Sequence, residues 1–284
     1  MASDKIKWYD CNTLQPILLV PNANGKGQHE PTLRDAKREG GPAYGALAST
    51  TAIPKTLGYP PGLVDYFKVS AVRACIDAPW TPCFEKEGYI KATLQKSRER
   101  DIQAAEKGTE FHTGIAIYQK RGAKPPEPIL TAAVWIENWI KQTFPTLRRD
   151  TVNLERRIGS RELGYCGAPD WSGFLESGQL VVLDWKTVDL EKWTRPYDEW
   201  LVQGGSYGHA LRTLRDQLPD KEDMLDKPCI FYNIAIDRAT GTCIPCGPGT
   251  KFEKMYDMER WEAAWCHLFE YWCLTKGYDP RRIG

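Results

Sequence analysis

The chain reads as an α/β (α+β) protein, with one central mixed β-sheet flanked by helices. Two patterns predict this. Apolar residues recur at helical spacing in long stretches toward both ends, and between them lie short apolar or alternating runs bounded by Gly, Asn and Ser. The resulting order is helices, a β-meander, a helix, a β-hairpin and a closing helix, which a sheet with helices packed on it accommodates.

Residues 1–47 are expected to form an N-terminal arm, because "PNANGKGQHEPTLRDAKREGGPAYGALAST" is rich in Gly, Pro, Asn and charge and has no sustained period. A single folded domain, 48–284, follows. Its start is α-helical: after a Pro-Pro-Gly turn, Leu63, Val64, Phe67, Ala71 and Ala74 form an apolar stripe. Further helices run through "SRERDIQAAEKGTEFHTGIAIYQKRG" and "PILTAAVWIENWIKQTF", the second with Ala132, Trp135, Ile136, Trp139 and Ile140 on one face. "TVNLERRI" alternates as a strand, and "GYCGAPDWSGFLESGQLVVLDWKT" divides at a tight turn near Ser177 and Gly178 into two more. "TRPYDEWLVQGGSYGHALRTLRDQL" is a helix capped by Thr194 with Pro196 in its first turn. "KPCIFYNIAIDRATGTCIPCG" is a hairpin, and "MERWEAAWCHLFEYWCLTKG" a closing amphipathic helix.

At 284 residues and 42% hydrophobic content, the chain can bury one substantial core. The net charge of +1 means that a nucleic-acid partner would be held by local basic patches and not by a global field. With no run of about 18 apolar residues and no signal-peptide core, no membrane association is expected and a cytoplasmic location is. Nine cysteines favour reduced thiols over a complete disulfide framework.

The chemistry is concentrated at one place. Side chains alternate along a strand, so Asp184 and Lys186 share a face while Trp185 takes the other. Asp170 lies one strand earlier in the hairpin and is a cross-strand neighbour of Asp184. Two carboxylates that close raise each other's pKa unless a cation neutralises them, and such oxygen-rich sites suit Mg²⁺ or Mn²⁺. The bare Asp-x-Lys triplet carries little weight, since Asp35-Ala36-Lys37 repeats it in a polar, Gly-rich stretch. What distinguishes the second copy is the apolar "LVVL" before it and Asp170 across the hairpin; without them an internal salt bridge is the alternative.

Asp170 in "GAPD", Asp184 and Lys186 in "LDWK", and Gln203 to Tyr207 in "QGGSY" together resemble the motifs of the PD-(D/E)xK nuclease superfamily, in particular its RecB-like exonuclease branch. "EKGTEFHTGI" resembles that branch's G-T-x-x-H helix, and Glu155 in "NLERRI" matches the acid before its G-x-x-D strand. "STTAIPKTLGYPPGLVDYFKVSA" is similar to the N-terminal region of phage-encoded and mitochondrial genome-maintenance members. The likeness covers roughly residues 48 to 275 in order, more specific than any single motif.

The resemblance implies a restriction-endonuclease-like core and a divalent-metal-dependent DNA exonuclease, phage or bacterial, serving recombination, replication or repair. His112, Asp170, Asp184 and the Trp185 carbonyl would ligate Mg²⁺ or Mn²⁺. Glu155 would act through water or a second metal, and Lys186 would assist the nucleophilic water. Gln203 and Tyr207, four apart on one helix face, would hydrogen-bond near the metal and contact a nucleotide; core packing is the other role for Tyr207. Gly204 and Gly205 weaken that helix, which implies a close approach to its backbone. The implied partners are DNA ends and a phage recombination or single-strand-binding protein. A structure-specific endonuclease of the same core, or a nucleic-acid-binding module without turnover, are the competing functions. Some members carry an iron–sulfur cluster. Here Cys75 or Cys83, the Cys243-Cys246 pair and Cys266 or Cys273 are the candidates, but the third C-terminal Cys lies far beyond the pair, and ordinary buried thiols are the default.

Overall fold

The computed structural model describes residues 7–54, 86–215 and 228–283, with the side chains of 86–104 described only in part. Along the chain run β1 (Trp8–Tyr9), β2 (Val20–Pro21), β3 (Gln28–His29), α1 (Leu33–Lys37), β4 (Leu47–Ser49), α2 (Lys86–Arg121) and α3 (Ile129–Thr143). Then follow β5 (Asn153–Leu154), β6 (Ile158–Ser160), β7 (Tyr165–Gly167), β8 (Trp171–Phe174), β9 (Leu180–Val188), α4 (Asp198–Thr213), β10 (Ile230–Asp237), β11 (Cys243–Cys246) and α5 (Met258–Lys276). The protein is mixed α/β with two mixed sheets and a short hairpin, and neither sheet closes into a barrel.

The larger sheet has the order β11-β10-β9-β8-β5. Its centre is the parallel pair β9 and β10, joined through α4, while β8 and β11 flank it antiparallel. Parallel neighbours need such a crossover, and strands covered on both faces become continuous apolar runs like "LVVL" and "IFYNIAI". Alternate residues of β9 enter two separate cores. Leu180 and Val182 pack with Leu201 and Leu211 of α4 and Trp265 and Trp272 of α5. Val181, Leu183 and Trp185 pack on the opposite face with Phe111 and Ile115 of α2 and Ala132 and Ile136 of α3. The helices therefore cover both faces, and one end of β9 is left to carry polar groups.

Ser177 and Gly178 form the expected turn between β8 and β9; Gly178 has φ +78, a conformation that glycine adopts without a steric penalty. α2, α3, the β10–β11 hairpin and α5 also lie where the periodicity places them. Asp257 caps α5, its carboxylate accepting the Arg260 N–H at 3.2 Å.

Several expectations are corrected. "TVNLERRI" is not one strand: β5 pairs with β8 in the large sheet and β6 with β7 in the smaller one, and the chain turns between them at Glu155, whose φ is +53. The first half of "GYCGAPDWSGFLESGQ" is likewise shared between sheets, as β7 and β8. Thr194 does not cap α4, which starts at Asp198 after Tyr197 with no side-chain cap; Asp198 and Glu199 in the first turn suit the helix N-terminus electrostatically. β4 (Leu47–Ser49) begins at the last residue of the N-terminal stretch. Residues 7–47 are tied to the rest: Trp8 meets Tyr278 edge-to-face at 5.8 Å, the Tyr278 hydroxyl donates to the Ala46 carbonyl at 2.7 Å, and Lys37 Nζ donates to the Lys276 carbonyl at 2.6 Å. Trp8 and Tyr9, Val20 and Ala36 are buried at scattered points of this segment, with no sustained helical or strand period to announce them. The helix expected over Leu63 to Ala74 lies outside the described residues.

Candidate active site at the end of the central strand

β8 and β9 pair Trp171 with Leu183, and the next step of that register sets Asp170 opposite Asp184, where the ladder ends. Both acids are nearly or fully buried, Asp184 at 3% exposure. Each is held by a different neighbour. Asp170 Oδ2 accepts the Trp185 N–H at 2.6 Å, and its Oδ1 lies 2.6 Å from His112 Nδ1 on α2. Asp184 Oδ2 lies 2.5 Å from Lys186 Nζ, which also donates to Gln203 Oε1 at 2.7 Å. From there the chain of bonds continues along α4. Gln203 Nε2 donates to the Tyr207 hydroxyl at 2.6 Å, and that hydroxyl donates to the Ala168 carbonyl at 3.2 Å.

α4 can present Gln203 and Tyr207 here because Gly204, Gly205 and Gly208 let it sit against its neighbours. A Cβ on Gly204 would come within 2.3 Å of the Phe231 ring, and one on Gly205 within 2.3 Å of the Trp261 carbonyl oxygen. The close approach implied by the glycines is thus made by β10 and α5.

The electrostatics follow from burial and pairing. Burial pushes the Asp184 carboxyl up, Lys186 opposes it, and Asp170 adds to the rise. Burial disfavours charge on His112, but the Asp170 carboxylate and its hydrogen bond outweigh that and raise the imidazole above its ordinary value. Burial first, then the two aspartates, holds the Tyr207 phenol well above its usual range.

His112 and Asp170 therefore form one bonded pair, and Asp184, Lys186, Gln203 and Tyr207 a bonded chain, set side by side where Asp170 faces Asp184 across the hairpin. Glu155 is placed differently. Its backbone N–H donates to the Asp170 carbonyl at 3.1 Å, but its half-exposed carboxylate pairs with Lys120 of α2 at 3.4 Å. Trp185 contributes its N–H to Asp170, and its indole is in the core beneath α2 and α3.

The other Asp-x-Lys triplet makes no site: Asp35 closes a capping box with Thr32 at the start of α1, and Lys37 points to Lys276. Cys243 and Cys246 lie three apart on β11 and enter opposite cores, so they do not converge, and burial pushes both thiols up to about 12. Cys75 and Cys83 lie outside the described residues.

Among the described residues no group of three or more His, Cys, Asp or Glu side chains is gathered around a point that would hold a metal ion. Asp170 is engaged by His112, and Asp184 by Lys186. The donor types nevertheless fit a hard divalent cation. Two buried carboxylates share one permanent cation and one imidazole, and the raised Asp184 carboxyl marks a place where added positive charge would be favourable.

Sequence reasoning missed two contributors. Thr50, whose N–H donates to the Cys166 carbonyl at 2.9 Å, sets its side chain beside Gly167 next to the Tyr207 ring. Asn233 on β10 is paired in register with Asp184. A single amide inside the apolar run "IFYNIAI" is a signal that could have found Asn233; nothing local marks Thr50. No protein-family model and no curated protein matches the chain. No described helix is long and apolar enough to cross a membrane.

Proposed function

We propose that the chain is a divalent-metal-dependent deoxyribonuclease with a PD-(D/E)xK core of the RecB-like type, acting as an exonuclease. One observation carries the reading: Lys186 bridges Asp184 and Gln203, so the Asp-x-Lys strand end and the Q-x-x-x-Y helix form a single bonded unit. Sequence order alone did not require these segments to meet.

Asp170, Asp184 and His112 would hold Mg²⁺ or Mn²⁺, which when bound supplies Lewis acidity at the scissile phosphoryl group. The Lys186 ammonium, released from Asp184 and retained by Gln203, orients the attacking water and donates to a phosphate oxygen. Hydrolysis then forms one P–O bond to the water oxygen and breaks one, the departing sugar oxygen taking a proton. Tyr207 fixes the Gln203 amide so that its oxygen faces Lys186. Glu155, with its carboxylate on Lys120, enters only through a water or by leaving that pair. DNA is the proposed substrate, in recombination, replication or repair.

A second reading draws on the same contacts. Asp170 and Asp184 each already have a basic partner, as an ion-pair network in a DNA-binding module without turnover would also have. Cleavage of end-labelled linear and closed circular single-stranded DNA, with Mg²⁺, Mn²⁺ or EDTA, separates the cases. The exonuclease degrades only the linear strand, needs metal, and loses activity in Asp184→Ala; an endonuclease opens the circle. Lys186→Ala is expected to retain DNA binding and to lose about 10²-fold or more of the cleavage rate. Absence of cleavage under every condition would leave the binding module.

A further inference from the structure

We propose that Asn233 and Tyr256 are positioning residues for Asp184, holding its carboxylate in place when Lys186 turns to the substrate; this rests on the nuclease reading above. Asn233 is fully buried on β10, directly opposite Asp184 in the parallel ladder, so both side chains rise from the same face of the sheet. Its amide Nδ2 lies 3.5 Å from Asp184 Oδ2, at the outer limit of a hydrogen bond. Its Oδ1 accepts the Tyr256 hydroxyl at 2.9 Å. The ionised Asp184 carboxylate can only accept, so the NH₂ end of Asn233 faces it and the amide oxygen is left to the Tyr256 hydroxyl, which donates.

Lys186 and Asn233 therefore both approach Oδ2, and Oδ1 is the oxygen that neither takes. Lys186 is shared with Gln203 and has a second place to go; Asn233 has none, because it is locked in a strand and by Tyr256. When the ammonium moves, Asn233 keeps Oδ2 occupied and Oδ1 presented. Nothing else requires an amide here: its strand neighbours Phe231 and Ala235 on the same face are apolar core residues. A buried amide without such bonds would be unfavourable, so the polar pair is retained for what it orients.

The test is Mn²⁺ binding by calorimetry on the full chain, alongside cleavage kinetics, for wild type, Asp184→Ala, Tyr256→Phe, Asn233→Ser and the double variant. Tyr256→Phe keeps the buried ring and is the variant expected to fold. It should weaken Mn²⁺ binding about three- to tenfold and lower kcat with KM for DNA unchanged, and it should add no further loss in the Asn233→Ser background, as residues acting in one chain do. Wild-type Mn²⁺ affinity and kcat in Tyr256→Phe, with binding lost in Asp184→Ala, would overturn the positioning role alone. Equal binding by wild type and Asp184→Ala, or none by either, would overturn the nuclease reading and this role with it.

Discussion

Replacing Gly205 by Ala tests how closely α4 and α5 are packed, and hence what places Gln203 and Tyr207. The added methyl would lie 2.3 Å from the Trp261 carbonyl oxygen, 2.5 Å from its carbon and 2.9 Å from the Glu262 nitrogen. A carbon sits ordinarily no nearer than about 3.3 Å to a carbonyl oxygen, so the helices must separate by about 1 Å. All three obstructing atoms are backbone, and none can rotate away. Overpacking of this kind destabilises by about 1–3 kcal/mol, and the lack of side-chain escape places this case toward the upper end. The better helix propensity of Ala returns about 1 kcal/mol. The net expectation is a loss of about 2 kcal/mol, or roughly 3–4 °C in Tm for a chain of this size. Urea unfolding at 25 °C, with an unchanged m-value and a lowered midpoint, is the appropriate assay. A Gly205→Ala protein as stable as wild type would refute the reasoning, because propensity would then have outweighed a contact that the helices do not in fact make.

Asp279 supplies a pH-dependent prediction. Its carboxyl is held below its usual value, chiefly by the hydrogen bond from Arg281, so the stabilisation is present above the unfolded-state pKa of about 3.9 and fades as pH falls through the depressed folded value. Asp279→Asn is expected to lose about 1 kcal/mol at pH 7 and to converge on wild type in acid; a gap that stays constant to the lowest pH measured would contradict the pairing. At Glu155, whose φ is +53, glycine should be tolerated within about 0.5 kcal/mol, whereas Glu155→Val should lose about 1–2 kcal/mol more than Glu155→Gly. Equal urea midpoints for the two variants would argue against the left-handed turn.

Periodicity located α2, α3, the β10–β11 hairpin and α5, because each is long enough for its own apolar pattern to outweigh local noise. It failed where elements are two or three residues long. β4 and β5 pair with strands distant in sequence, β6 and β7 form a short hairpin of three-residue strands, and strands this short have no period to read. The same division runs through the candidate site. Asp170, Asp184 and Lys186 were legible because they lie on one hairpin, where alternation and turn position alone set the face and the register. His112 was linked to them only by resemblance; its bond to Asp170 depends on how α2 crosses the sheet.

By itself, then, the sequence determined a mixed sheet with helices, the strand whose apolar run is followed by an acid and a base, and a glycine-bearing helix meant for close packing. Tertiary structure alone decided that Lys186 reaches Gln203, that Glu155 turns toward Lys120, and that Asn233 backs Asp184. The physical reason is the range of the interactions. Alternation and turn chemistry act over a few residues, whereas these contacts are set by the parallel register of β9 and β10 and by the crossing of α2 and α4 over the sheet, which no local pattern encodes.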